Sequence, residues 1–253
     1  MSDAGTVKRR ARWPWVLVII LVVLAVLAVA AELITRAVLP GVVRGIVVEQ
    51  LDLPQEQQLD VEAQGLLLPQ LIGGRLDELH LTTDSVTIGG ITGAADVTAV
   101  GVPLGGGDIS DAHGTVRIDQ GQFTALVAAS ELPIDEISFA APDVTAAGSF
   151  AVFGVPVPVS VTVTPAADAG ELLLTPVEAR IGGVALNAAE IADRFGGIAE
   201  QLTEPQRICI ADQLPAGITM TGLQIDGEQA VIDIDVDGAI VTDSSLQENG
   251  SCA

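Results

Sequence analysis

Asp233-Ile234-Asp235-Val236-Asp237-Gly238 sets three carboxylates at alternate positions before a glycine, the opening half of a calcium-binding loop. The twelfth position of such a loop is Ser244, where a bidentate Glu is needed, and Ile232, Ile234 and Val236 alternate with the acids. A strand with its carboxylates in water is the better reading. Asp108, Asp111 and His113 gather beside Gly105-Gly106-Gly107, a composition that favours a solvated loop over a metal site. His80 lies between Leu79 and Leu81, so it points outward from a strand and is no catalytic base. The chain has no G-x-S-x-G elbow, H-E-x-x-H, P-loop or G-x-G-x-x-G following a strand. No catalytic residue, metal ligand or cofactor follows from these residues, and the expectation is a protein that is not an enzyme.

The compartment is set by Trp13 to Ala31, WPWVLVIILVVLAVLAVAA, an uncharged run entered through Lys8-Arg9-Arg10-Ala11-Arg12. As a helix at about 1.5 Å per residue it nearly crosses a hydrocarbon core of about 30 Å, and the basic flank keeps the N-terminus in the cytoplasm. Ala28-Val29-Ala30 also offers a signal-peptidase pattern, so an uncleaved anchor and a cleaved signal segment both stand. The chain then divides into a cytoplasmic tail (1–12), an anchor or signal segment (13–31) and an extracytoplasmic domain (32–253), which is secreted if the segment is cleaved.

Beyond residue 31 there are seven arginines and no lysine against 32 carboxylates, a formal charge of −25. Such a field repels nucleic acid. Hydrophobic residues are nevertheless 49% of the chain with aromatics only 3%, so any core is built from Ala, Val, Leu and Ile. Cys209 and Cys252, an even pair in an oxidising compartment, favour a disulfide over free thiols or an intermolecular bond. Asn249-Gly250-Ser251 matches a glycosylation acceptor, but the Arg-rich, Ala/Val-rich composition suggests a high-GC bacterium in which that match means little.

The elements that would carry these residues are mostly strands. Helix continues from Leu33 towards Leu51, interrupted at Pro40-Gly41 and ended by Leu51-Asp52-Leu53-Pro54. Val155, Val157, Val159, Val161 and Val163 alternate with Pro156, Pro158, Ser160, Thr162 and Thr164, a strand with one aliphatic face, and its prolines suggest an edge. Further strands are expected at 78–81, 85–88, 114–118, 122–128, 137–140, 148–152, 171–174, 178–181, 217–225 and 230–236. Asp226-Gly227 and Pro165–Gly170 read as hairpin connections. Late helices are expected from Asn187 to Leu202 and from Pro205 to about Gln213. A sheet with an aliphatic face and few helices needs a cover, either its own side chains, as in an ordinary sandwich or barrel, or a lipid.

Ala63 to Thr83, AQGLLLPQLIGGRLDELHLTT, resembles the LmeA-like phospholipid-binding proteins of actinobacterial envelopes through Gly65, Pro69, Leu71, Gly74, Arg75 and Asp77. Leucines 66, 67 and 68 stand where that family usually has aromatics. Leu214-Pro215-Ala216-Gly217-Ile218-Thr219 resembles the segment leading into the family's last hairpin. The resemblance implies an α+β, mostly β fold, an elongated curved antiparallel sheet wrapped on a few helices, similar to tubular lipid-binding modules. It also implies a periplasmic protein that binds phospholipid and supports lipoglycan assembly without being a glycosyltransferase.

On this reading Leu66, Leu67, Leu68, Leu71 and Ile72 lie near the opening of an acyl-chain site. Arg75 is either a bidentate phosphate contact or a surface partner of Asp77 or Glu78. The expected partners are phospholipid, the membrane and, through either reading, a membrane-bound enzyme of envelope biosynthesis. The alternative is a structural or partner-binding envelope protein whose β core is filled by its own side chains.

Overall fold

A computed structural model describes residues 13–50, 59–88, 91–128, 134–152, 154–168, 170–187, 190 and 204–252. Helix α1 (Trp13–Gln50) is continuous for 38 residues with Pro40 inside it. The expected interruption at Pro40-Gly41 does not occur, although a proline removes one helical hydrogen bond and crowds the preceding turn. Leu39 and Val43, on either side of Pro40, both pack against a core of Val61, Leu76 and Leu79, which holds the helix across the defect. The stop expected at Leu51–Pro54 lies outside the described residues.

Among the described residues twelve strands follow in two antiparallel sheets. The first sheet contains β1 (Asp60–Ala63), β2 (Arg75–Ile88), β3 (Ile91–Pro103), β4 (Asp111–Asp119), β11 (Ile218–Asp226) and β12 (Gln229–Val236), in the order β1-β2-β3-β4-β12-β11. The second contains β5 (Glu136–Ala140), β6 (Asp143–Val152), β7 (Val155–Asp168), β8 (Glu171–Ile181), β9 (Val184–Asn187) and β10 (Gln206–Cys209). Its order is β10-β8-β7-β6-β5, with β9 added to β8. The two sheets touch where β11 packs against β7, and neither closes into a barrel. Short helices α2 (Leu67–Gly73) and α3 (Gln120–Ala128) complete an α+β, mostly β chain.

Strand register aligns the period-two patterns across each sheet. In the first, Val61 pairs with Leu81, Leu81 with Val97, Val97 with Gly114, Gly114 with Ile234 and Ile234 with Met220, so one face is aliphatic from edge to edge. The opposite face carries His80, Asp96, Asp111, Arg117, Asp233 and Asp235. In the second, Phe139 pairs with Val144, Val144 with Val163 and Val163 with Pro176, while Val159 pairs with Ile181 and Ile181 with Val184. That face is apolar across β5 to β9, with Gln206 of β10 at its margin, and Ser160, Thr162, Glu178 and Arg180 occupy the other.

Four expectations are corrected. Residues 122–128 form helix α3 and not a strand: Thr124 bonds back to the Gln120 carbonyl at 3.3 Å, and Phe123 stacks on Phe139 with ring centroids 5.4 Å apart. Pro205 to Gln213 is not a helix, because residues 206–209 pair with Leu174 to Glu171 as β10 and only Ala211–Gln213 turns as a 3-10 segment. β7 is not an edge strand, since it lies between β6 and β8. Pro156 and Pro158 precede the first β7–β8 pair, Val159 with Ile181, so their missing donors fall where β8 does not reach. Pro165 to Asp168, read as a connection, are paired residues of β7. The helix expected over 187–202 falls almost wholly outside the described residues; Asn187 ends β9.

Asp233 and Asp235 stand on β12, as a water-facing acidic strand requires, and Asp233 accepts a hydrogen bond from Thr115 at 3.0 Å. His80 pairs with Asp96 at 2.7 Å and His113 with Asp111 at 3.3 Å. Among the described residues no group of three His, Cys, Asp or Glu is placed to hold a metal. Cys209 and Cys252 form a disulfide with Cα atoms 5.8 Å apart, tying the C-terminal tail to β10. Asn249 donates its side-chain amide to the Asp212 carbonyl at 2.7 Å.

Candidate functional site

The segment of leucines is organised by α1. The Glu32 carboxylate, one residue beyond the uncharged run, accepts hydrogen bonds from the backbone N–H groups of Leu67 and Leu68, both at 2.9 Å. These are orphan donors of the first turn of α2, which no side chain of its own cap satisfies. Arg36, one turn further along α1, donates to Glu32 at 3.0 Å and to the Gly65 carbonyl. Gln70, buried, bridges the other side: its amide donates to the Gln64 carbonyl at 2.8 Å and its oxygen accepts from the Asp77 N–H at 3.0 Å. Gly65 has φ +80° and a Cβ there would lie 2.7 Å from the Gln70 amide nitrogen, so only glycine fits. Gly74, at φ +73°, closes the helix with its N–H on the Leu71 carbonyl at 3.2 Å.

Held in this way, α2 sends its residues in three directions. Leu67 is 2% exposed, and Leu71 packs against the Val61–Leu76–Leu79 core. Leu66 and Leu68, with Pro69, meet Ala28, Val29, Glu32 and Leu33 of α1 around a recess of about 320 Å³, apolar except for Glu32. Leu66 remains 65% exposed and Ile72 87%. A second cavity, about 280 Å³, opens on the other side of Leu67 between α1 and β1, lined by Arg36, Leu39, Pro40, Val61, Glu62 and Ala63.

Of the five residues expected at the opening, the structure thus brings Leu66 and Leu68 to one recess, Leu67 to the other and Leu71 to the core, and leaves Ile72 facing outward. Arg75 lines neither cavity. Its guanidinium donates to the Gly101 carbonyl at 2.8 Å, to the Ser110 hydroxyl at 2.7 Å and to the Asp108 carbonyl at 3.4 Å. Neither Asp77 nor Glu78 is among these partners. The cation lining the second cavity is Arg36, and neither it nor Glu32 is among the expected site residues. The signal was there: a Glu and an Arg four residues apart immediately behind an uncharged run.

The aliphatic face of the second sheet is only half covered, whereas that of the first holds the buried Val61, Leu79, Ile118, Met220 and Ile225. On the second sheet Phe150 is 50% exposed, Val155 63%, Ile181 53% and Val184 59%, with Val161 and Ile208 also exposed. Across the described residues only Leu67 and Leu76 are large side chains buried almost completely. Exposed aliphatic surface on this scale marks a binding surface more often than ordinary exterior.

A family model described as LmeA-like phospholipid-binding matches residues 30–234. The chain belongs to the LmeA-like phospholipid-binding family. No curated protein and no solved structure matches it. The LmeA-like region opens at Ala30, two residues before Glu32, so it takes in the hydrogen bonds between α1 and α2, the cavity between α1 and β1, and nearly all of both sheets. It ends inside β12, leaving Cys252 and the tail that the disulfide anchors beyond it. Among its described residues the same LmeA-like chain carries one helix long and apolar enough to cross a membrane, Trp15–Gly45.

Proposed function

We propose that this protein is a non-enzymatic phospholipid carrier or sensor, tethered by α1 with residues 32–253 outside the membrane, that holds acyl chains on its aliphatic sheet faces and supports envelope lipid or lipoglycan assembly. The observation that carries the reading is the apolar face of the second sheet, left half exposed by the chain's own side chains. An acyl chain laid on such a face is stabilised by about 0.8 kcal/mol per methylene removed from water. Ten methylenes therefore hold a lipid without a strong headgroup site, which suits a surface whose polar faces are mainly acidic.

Family membership supports the ligand class. The unbroken run of α1 into the contact with α2 supports an anchor that is kept, since cleavage after Ala30 would sever α1 beside Val29, which lines the recess with Leu66 and Leu68. A self-filled β core, the alternative, fits poorly with so few fully buried side chains.

The test is to purify the full chain in a non-lipid detergent and extract it with organic solvent. Phospholipid at a fixed molar ratio by mass spectrometry, exchangeable for a fluorescent phospholipid, is the expected result. Lipid-free protein that takes up no fluorescent phospholipid overturns the proposal.

A further inference from the structure

We infer that α2 and Leu66 form a foot that inserts into the outer leaflet of the membrane crossed by α1, with Glu32 as the latch that sets its depth. The inference depends on α1 crossing the membrane and goes beyond lipid carriage. The depth argument starts from α1. Ala28, Val29 and Leu33 belong to or adjoin the uncharged run, and they share one apolar recess with Leu66, Leu68 and Pro69. At about 1.5 Å rise per residue, Val29 lies about 4–5 Å further into the membrane than Glu32. The side chains of the α2 end that meet it are therefore at the level of the upper acyl chains.

Chemistry agrees with that depth. From Gly65 to Leu76 the chain has no carboxylate, in a region that otherwise carries a formal charge of −25. Its one cation, Arg75, is bound into the β3–β4 connection. Ile72 and Leu66, 87% and 65% exposed, are left mostly uncovered by protein. Leu104, also exposed, is tied to this corner by its backbone N–H, which donates to the Gly74 carbonyl at 2.9 Å. Exposed leucine and isoleucine on a short segment fixed to a transmembrane helix find their apolar partner in hydrocarbon. Glu32 holds the segment there because its carboxylate satisfies two α2 amides that would otherwise be left without an acceptor in a region poor in water.

The cysteines of the protein are both in the disulfide, so one added thiol can be labelled selectively after oxidation. The full chain carrying Ile72→Cys, with a nitroxide attached, is reconstituted in vesicles of phosphatidylcholine and phosphatidylglycerol, and power saturation is read against oxygen and a water-soluble nickel chelate. Asp226→Cys, at the β11–β12 turn, serves as the aqueous reference. The expected result is a label at 72 rich in oxygen and several-fold less accessible to nickel than the label at 226. Equal nickel accessibility at the two positions overturns the insertion.

Adding Glu32→Gln to the Ile72→Cys chain tests the latch. A several-fold rise in nickel accessibility at 72, with α1 still resistant to carbonate extraction, supports it; an unchanged depth overturns the role of Glu32. Neither readout measures lipid carriage, so failure here and failure of the proposed function are told apart.

Discussion

Glu32 and Leu67 are 35 residues apart in the chain, and the carboxylate of one receives the backbone N–H of the other at 2.9 Å. This bond, its companion to Leu68 and the Arg36 donation to Gly65 fasten the middle of α1, where its uncharged run ends, to the corner of a β-sheet. A carboxylate against helix N-terminal amides also meets the positive end of the α2 backbone dipole. The expected outcome of Glu32→Ala is local loosening with the sheets intact: amide hydrogen exchange at Leu67 and Leu68 speeds up by roughly tenfold or more. Exchange along β3 and β4 stays unchanged, and mass-spectrometric exchange on the full chain in detergent reads both regions together.

Why the sequence announced some of this and not the rest follows from the range of the signals. The valines of β7 are visible because alternation is local, and the helical run of α1 for the same reason. Phe123, Ala125 and Val127 alternate as well as they fit a helix turn, so the local pattern favours a strand where α3 forms; the contact of Phe123 with Phe139 decides the matter and is not local. Residues 91–103 were not expected to be a strand because Ala94, Ala95, Gly93 and Gly101 dilute the β-branched signal, yet β3 sits between β2 and β4. Pro156 and Pro158 correctly signal a missing neighbour, but only for the first residues of β7. The α2 leucines were recognised as a group; how they divide between core, recess and exterior depends on Glu32, for which sequence spacing offers no pointer across 35 residues.

Arg75 illustrates a residue type pointing to one chemistry and the fold using it for another. Its guanidinium joins the start of β2 to Gly101 and to Ser110, which itself bonds the Val100 carbonyl through its N–H at 3.0 Å. Gly101 has φ +64°, and a Cβ there would lie 2.9 Å from the Arg75 Nε, so the turn is shaped around this side chain. Arg75→Ala is expected to lower stability by about 1–3 kcal/mol through lost charge-assisted hydrogen bonds. The amount of copurifying phospholipid per folded protein stays unchanged. Chemical denaturation and lipid quantification on the same preparation check the two halves.

The Cys209–Cys252 bridge closes a loop of 43 residues that contains β11 and β12. Chain-entropy arguments give such a closure about 4 kcal/mol, an upper figure for an intact native state. Cys209→Ser with Cys252→Ser is therefore expected to lower the denaturation free energy by about 2–4 kcal/mol. It also frees the tail beyond Asn249, whose pairing with Pro215 is otherwise backed by the bridge. Urea titration of the variant against the oxidised parent measures the first effect, and carboxypeptidase trimming of the tail measures the second.

Asp243 accepts hydrogen bonds from the Ser245 hydroxyl at 2.7 Å and the Ser245 N–H at 2.9 Å, which hold its carboxyl below the ordinary aspartate range. A carboxylate with a depressed native pKa stabilises the fold above its unfolded pKa, about 3.9, and loses that contribution as pH falls through the native value. Asp243→Ala is expected to melt at a lower temperature than the parent at pH 7, with the difference shrinking below about pH 4. Thermal scans of both proteins from pH 7 to pH 3 check the sign.

The aliphatic face of the second sheet gives the most direct test of what the protein carries. Val161 and Ile181 stand on that face and are 41% and 53% exposed, so a charge at either position meets water in the unliganded protein and costs little stability. With an acyl chain on the face, the same charge must be desolvated against hydrocarbon, a cost of several kcal/mol. Val161→Glu and Ile181→Glu are therefore expected to leave the melting temperature within a few degrees of the parent and to reduce copurifying phospholipid at least tenfold. Thr162→Glu, one residue along β7 on the polar face, is expected to leave the lipid content unchanged. If all three variants retain the parent's lipid, the acyl chains lie elsewhere, and the recess between Leu66, Leu68 and α1 becomes the place to look for them.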